Sequence, residues 1–301
     1  MKTNVTFPSA GWQLSGHLYT PDGDPAGPLQ PIVIPHPWGG VKEQTATVYA
    51  RRLARDGFAC LVFDSAHHGE SEGEPRHLEN PFQRAEDIKN AVSYLTTCEG
   101  LDTDRIAALG LFASGGYVPY AAQTDPRIKA VATVAAVDIG AMLREGLTGG
   151  QTEDHIRGML AEAARLRTAE AHGNPPHLER ILPATKQETV DLPVTIQEGW
   201  DYYMTERGGH PRAQNVFVLR SVDHIMQYDP YAMIRLLAPR PLLMIEGTAS
   251  DTVHYSRRAV ELAVGPTELF WIEGATHMDL YDRDEHVSPA VAKLSEFFRQ
   301  L

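Results

Sequence analysis

The chain has almost no cysteine. Cys60, inside an apolar stretch, and Cys98, near a helix end, are the 2 in 301 residues, so neither a disulfide framework nor a CxxC metal or redox motif is available. A reducing cytoplasm is the expected compartment. Long hydrophobic runs are missing too. No stretch approaches the roughly 18 apolar residues of a membrane span, and residues 1–11 lack an apolar core of signal-peptide length. Positive charge is short: 27 Lys and Arg stand against 39 Asp and Glu, for a net charge of -12 with no basic cluster. Such a surface repels phosphate backbones and anionic lipid, which argues against nucleic-acid and membrane partners. No internal repeat or low-complexity tract appears. What is present is ordinary for a globular protein, with 43% hydrophobic residues, enough for a substantial core in one large or two small domains.

One further absence concerns a single position. Residues 105–117 (RIAALGLFASGGY) have the form of a strand, a sharp turn and a helix. Such an elbow lifts one side chain into a site, and it closes only when the residues two before and two after the tip are small. Around Phe112 these are Gly110 and Ser114; around Ser114 they would be Phe112 and Gly116. The small-neighbour rule puts Phe112 at the tip, with Ser114 in the first helical turn. A phenyl ring cannot attack a carbonyl, so a covalent acyl intermediate at residue 112 is excluded. Ser114 is open to two readings from sequence: a helix-capping or packing residue, or a relocated nucleophile.

Residues 4–7 and 12–19 alternate in the manner of an antiparallel hairpin joined by the turn at 8–11. The rhythm then changes to apolar strands at 32–34, 58–63, 106–112 and 131–136, separated by helices at 43–56, at 81–97 behind Asn80-Pro81, and after the elbow. It resumes with a strand at 241–245, a helix at 255–264, a strand at 269–272 and a last helix starting at Ser288-Pro289. Strands alternating with helices imply a mostly parallel sheet covered on both faces. Between these blocks the pattern breaks. One amphipathic helix at 154–172 is followed by a proline-rich stretch and an aromatic one containing Trp200, Tyr202, Tyr203, Phe217 and Tyr228. The expected organisation is an α/β core of residues 1–138 and 240–301, interrupted by a helical cap at 139–239. The cap aromatics either pack the cap or wall an apolar pocket; Trp200, Tyr202 and Tyr203 are the pocket candidates.

Two loops at the carboxyl edge of the sheet carry chemistry. Asp251 lies in GTASDT (247–252), just past the strand ending near Ile245, and His277 in EGATHMD (273–279), just past the last strand. Loops at this edge converge, so a carboxylate from one can hold a histidine from the other as a general base. Asp251 is the expected partner, with Glu246 and Asp279 as alternatives, while His254 and His286 have no such placement. An oxyanion site calls for the N–H after the elbow tip, that of Ala113, and one from the loop HPWGG (36–40), that of Trp38. His36 on this loop is a further pocket candidate. His67 and His68 are adjacent and point apart on an extended chain, and no second ligand cluster accompanies them, so no metal and no other cofactor is expected.

These motifs together resemble the dienelactone-hydrolase-like branch of the α/β-hydrolases, and also the peptidase domain of X-Pro dipeptidyl-peptidases. The likeness covers residues 36–44 (HPWGGVKEQ), 69–75 (GESEGEP), the elbow, 198–211 (EGWDYYMTERGGHP) and the loops at 248–252 and 274–282. It implies the α/β-hydrolase fold with a helical cap, the order nucleophile, acid, histidine along the chain, and a small-molecule substrate. It also implies a serine or cysteine at position 112, where this chain has Phe112. Related proteins often dimerise, so a homodimer is an expectation. Three functions stay open. In the first, His277 and Asp251 act as a base on substrate or water, giving elimination, cyclisation or hydrolysis of an apolar ester, lactone or ketone of polyketide-like type. The second is an esterase or thioesterase using Ser114. The third is a non-catalytic ligand- or partner-binding protein.

Overall fold

The computed structural model describes residues 1–23 and 26–301. The chain opens with β1 (Lys2–Ser9) and β2 (Trp12–Tyr19), an antiparallel hairpin. Its two-residue turn, Ala10-Gly11, has positive φ at both positions, the turn geometry that matches the twist of the flanking strands. There follow β3 (Pro31–Pro35), α1 (Thr45–Arg55), β4 (Ala59–Phe63), α2 (Pro81–Leu95), β5 (Ala107–Leu111), α3 (Ser114–Thr124) and β6 (Ala130–Val134). Asn80 starts α2 as expected, its side chain accepting from the N–H groups of Phe82 and Gln83, with Pro81 in the first turn where no N–H is needed.

An insertion comes next: α4 (Ile139–Glu145), α5 (Glu153–Ala171), β7 (Leu178–Arg180), α6 (Val194–Tyr203), β8 (Val216–Val218) and α7 (Val222–Gln227). The core then resumes with β9 (Leu242–Gly247), α8 (Val253–Leu262), β10 (Thr267–Ile272), α9 (Asp279–Asp282) and α10 (Asp284–Arg299). The insertion is mainly helical, as expected, and also carries a small antiparallel pair, β7 and β8, with Leu178 opposite Val218. Each has three residues, too few to show a period of two. α10 also begins before Ser288-Pro289 and carries Pro289 inside it.

The main sheet has eight strands in the order β1-β2-β4-β3-β5-β6-β9-β10. Only the β1-β2 and β2-β4 pairs are antiparallel; the others are parallel, as in β3 on β4 with Ile32 opposite Cys60. Because side chains alternate across a strand, neighbouring residues feed different cores. Ile32, Ile34, Cys60 and Val62 pack with Tyr49 and Leu53 of α1 and Val287 and Leu294 of α10. Val33, Leu61 and Phe63 pack with Ile88 and Val92 of α2 and Tyr117 and Val118 of α3. Both faces are therefore apolar, which is why these strands are near-continuous hydrophobic runs in the sequence. This is the α/β-hydrolase topology with an insertion between β6 and β9. No helix among the described residues is long and apolar enough to cross a membrane.

Candidate active site

At the carboxyl end of β5 the chain turns through Phe112, whose φ of 51° places a bulky residue in the left-handed region. A non-glycine residue there is strained by about 1–3 kcal/mol, and such strain gathers at functional sites. The turn needs Gly110, since a Cβ at that position would fall onto the carbonyl of Ser114. Phe112 is thus the elbow tip in three dimensions, as the small-neighbour rule requires. Ser114 faces the other way. It is fully buried; its Oγ accepts from the Leu111 N–H at 2.7 Å, and its hydroxyl has the carbonyls of Leu111 (2.7 Å) and Pro35 (3.1 Å) as acceptors. Those bonds lock the start of α3 to β5 and β3. No hydrogen bond joins Ser114 to His277, and this side chain locks the turn.

His277 follows β10 and is 1% exposed. Its ring stands edge-on to that of Phe112, with centroids 5.3 Å apart. Nδ1 lies 2.7 Å from the Thr252 hydroxyl, which is in turn 2.9 Å from that of Ser250. In the tautomer whose Nδ1–H donates to Thr252, Nε2 is left as a lone pair. Nε2 has the Tyr281 hydroxyl 3.4 Å away. Burial pushes the imidazole pKa down to about 4, against an upward pull from Asp251. At neutral pH the ring is uncharged, the form a general base requires.

The carboxylates are not arranged as expected. Asp251 makes no hydrogen bond to His277; it accepts from the backbone N–H of Thr195 at 3.1 Å and from the Thr195 hydroxyl. The acid therefore ties the core to the first turn of α6. Its negative charge at a helix N-terminus is favourable in its own right, and the hydroxyl of Thr252, one residue on, takes the place beside the histidine. Glu246 accepts from the Ala136 N–H and the Ser256 hydroxyl, and Asp279 from the Thr276 N–H, so neither orients His277.

A cavity of about 330 Å³ opens in front of Phe112 and His277, walled mainly by apolar side chains, among them Trp38, Ile181, Phe217 and Met278. Of the aromatic candidates Tyr203 lines it. Trp200 does not, its indole N–H donating to the Pro183 carbonyl at 3.2 Å, and Tyr202 packs behind, edge-on to Tyr203 and Tyr281. Neither the Trp38 nor the Ala113 backbone N–H donates to any acceptor among the described residues. Gly39, with φ of 75°, lets the Trp38 loop pass under Ile181, where a Cβ would collide.

His36 is a further correction. It is fully buried away from the cavity, with Nδ1 2.7 Å from the Pro37 carbonyl and Nε2 taking hydrogen bonds from the Ser65 N–H and from Arg84 at 2.8 Å. Burial, then the Arg84 charge, hold its pKa well below the usual range, so it is a neutral brace for the loop. Arg84 is itself paired with buried Glu79 at 2.7 Å. His67 and His68 point into backbone carbonyls of Pro75 and Leu78. A group with the donor types for a metal is His17, Glu43 and Glu70. Lys42 Nζ sits 3.1 Å from Glu43 and 2.7 Å from Glu70, and Arg212 bonds both, so cations of the chain already occupy those carboxylates.

Sequence reasoning missed Thr252 and Tyr281. For Tyr281 a signal was present: it stands four residues after His277, a spacing that puts two side chains on one helical face. For Thr252 there was none, since a hydroxyl beside an acid has no distinguishing pattern.

Comparison with known proteins agrees with the geometry. The model of the X-Pro dipeptidyl-peptidase (S15) family matches residues 10–181. The uncharacterized protein YcjY of Escherichia coli is 37% identical over 301 residues, spanning 99% of this chain and 97% of its own. The crystal structure of hypothetical protein PA2218 from Pseudomonas aeruginosa matches with a TM-score of 0.94 at 30% identity, covering 100% of this chain and 93% of that one. The acyltransferase drtE of Aspergillus calidoustus is 27% identical over 285 residues, 89% of this chain and 86% of its own. With a strained elbow, a histidine loop and the strand order of the fold in place, this chain belongs to the X-Pro dipeptidyl-peptidase (S15) family of the α/β-hydrolase superfamily.

Proposed function

We propose that the protein is an esterase or thioesterase acting on an apolar acyl substrate, with His277 activating water directly. The observation that carries this reading is the neutral His277 Nε2 facing an apolar cavity, with two unengaged backbone N–H groups near an elbow whose tip cannot form a covalent bond. In this scheme the acyl group lies in the cavity with its carbonyl oxygen toward the N–H groups of Trp38 and Ala113. Water adds to the carbonyl carbon as Nε2 takes its proton. The oxyanion is held by the two N–H groups. Collapse breaks the bond to the leaving oxygen or sulfur, which receives the proton from His277, and acid and alcohol or thiol depart. Residues 139–239 serve as the cap that supplies most of the apolar wall, in the manner of the dienelactone-hydrolase-like branch. Acyl transfer, the activity in the name of the drtE relative, begins with the same attack on an acyl carbonyl; elimination and cyclisation have no such support.

The test is a panel of p-nitrophenyl esters and acyl thioesters of increasing chain length. The native chain should turn over the longer acyl members, and His277→Ala should reduce this by at least about a hundredfold, within the range for loss of a general base. A fluorophosphonate should leave the native chain unlabelled. An adduct on Ser114 would overturn the water mechanism in favour of a serine one.

A further inference from the structure

A base that activates water needs something to hold that water, and in an elbow hydrolase the presented nucleophile supplies a polar atom at that point. Here Phe112 supplies a ring. The cavity's polar atoms near Nε2 come from elsewhere. Tyr281 is 3% exposed, and its hydroxyl stands 3.4 Å from Nε2. That is long for a direct hydrogen bond to nitrogen, and the oxygen keeps further donor and acceptor capacity. Tyr203 lines the same cavity with its ring edge-on to Tyr281, centroids 6.2 Å apart, and its buried hydroxyl faces that of Tyr281 without a close hydrogen bond to it or to any other described residue. A buried hydroxyl without a close partner is destabilising, and such a group calls for an explanation in function.

We propose that Tyr281 is a catalytic residue that holds the attacking water against His277 Nε2, with Tyr203 completing the polar end of the cavity. The inference rests on the reading of the protein as a His277-dependent acyl hydrolase. The water accepts from the Tyr281 O–H and donates one hydrogen to Nε2; its free lone pair adds to the acyl carbon. Tyr281 keeps its own proton throughout, so the balance of the reaction is unchanged. A tyrosinate nucleophile is ruled out by the surroundings: burial and the neighbouring Tyr203 push the Tyr281 hydroxyl well above its ordinary range. Position 281 is suited to the task because α9 begins two residues after His277 and carries the hydroxyl back over the imidazole ring, centroids 5.5 Å apart.

The experiment compares steady-state kinetics and thermal unfolding of the native chain, Tyr281→Phe, Tyr203→Phe and His277→Ala on p-nitrophenyl octanoate. Tyr281→Phe should lower kcat by roughly 100-fold, the lower end for loss of one fixed donor, while KM stays within about twofold. Tyr203→Phe should lower kcat by a smaller factor and leave Tm nearly unchanged, because its buried hydroxyl makes no close hydrogen bond. A purely structural role would show the opposite, a lower Tm with kcat intact. If His277→Ala is inactive while both phenylalanine variants keep full kcat with normal folding, the water-holding role is overturned and the base reading stands. If His277→Ala keeps native activity, or the native chain hydrolyses no ester, the base reading fails and this inference with it. Should Tyr281→Phe not fold, Tyr281→Met, which also lacks the hydroxyl, takes its place with the same expected loss of kcat, and full kcat in a folded Tyr281→Met chain overturns the role.

Discussion

Phe112 is the residue on which the chemistry of the site turns. Its backbone is held in the strained geometry of a presented nucleophile, while its side chain packs on the histidine that would serve one. The loop geometry thus outlasts the identity of the residue it presents. Phe112→Ser should gain a fluorophosphonate adduct at position 112 that the native chain does not form, read by intact mass. Correct folding without an adduct would mean that Nε2 is not aimed at the elbow. The histidine makes a second prediction. A base must be neutral, and His277 is held down to about 4 by burial. The kcat/KM of the native chain should therefore be flat from pH 6 to 8 and fall as pH drops toward the histidine pKa near 4, whereas an unperturbed histidine would lose activity below about 6.5. A limb near 6.5 in the free enzyme would show that the imidazole is more solvated than this geometry allows.

At the scale of elements, the strands and most helix limits were legible in the sequence because they are written in local terms. Apolar runs mark strands buried on both faces, Asn80-Pro81 marks a helix start, and Gly110 and Ser114 bracket the turn. The placement of His277 beside the elbow was legible as well, since loop position follows from strand order. The partner of Asp251 was not. Whether a carboxylate reaches a histidine or a helix N-terminus is decided by where the insertion docks, and no pattern within residues 247–252 records the position of α6. Thr252 was hidden because a hydroxyl beside an acid has no pattern, and the β7-β8 pair because three residues per strand show no period. This arrangement gives Asp251 a structural task that can be separated from a chemical one. Asp251→Ala should destabilise the fold by about 0.5–2 kcal/mol, the range for loss of a helix cap, measured as a shift in the urea midpoint. Thr195→Ala should reproduce part of that shift. An Asp251→Ala chain of unchanged stability would show that the tie between core and α6 contributes nothing.

For the molecule as a whole, a buried acid away from the cavity, near the end of β9, governs part of the pH dependence of folding. Glu246 is fully buried with a carboxyl pushed up to about 8 by desolvation, though the Ser256 hydroxyl and the Ala136 N–H act to lower it. Folding therefore favours its protonated form. Below its ordinary value of 4.5 the carboxyl is protonated in folded and unfolded chains alike and stability does not depend on it. As pH rises from there to about 8 the unfolded chain loses the proton first, and stability declines by up to about 1.4 kcal/mol per pH unit. Asp138, raised to about 6, adds the same sign at lower pH. The buried histidines His36, His68 and His277 act oppositely, but only below the ordinary histidine value of 6.5. Between pH 6.5 and 8 Glu246 is thus the dominant contributor. The native chain should lose roughly 2 kcal/mol across that interval, followed by urea unfolding at fixed temperature. Glu246→Gln keeps the shape and removes the charge, so its stability should be nearly level over the same range, whatever its absolute value. Equal slopes in the two proteins would mean that water or a cation reaches Glu246 and that this end of the sheet is not closed.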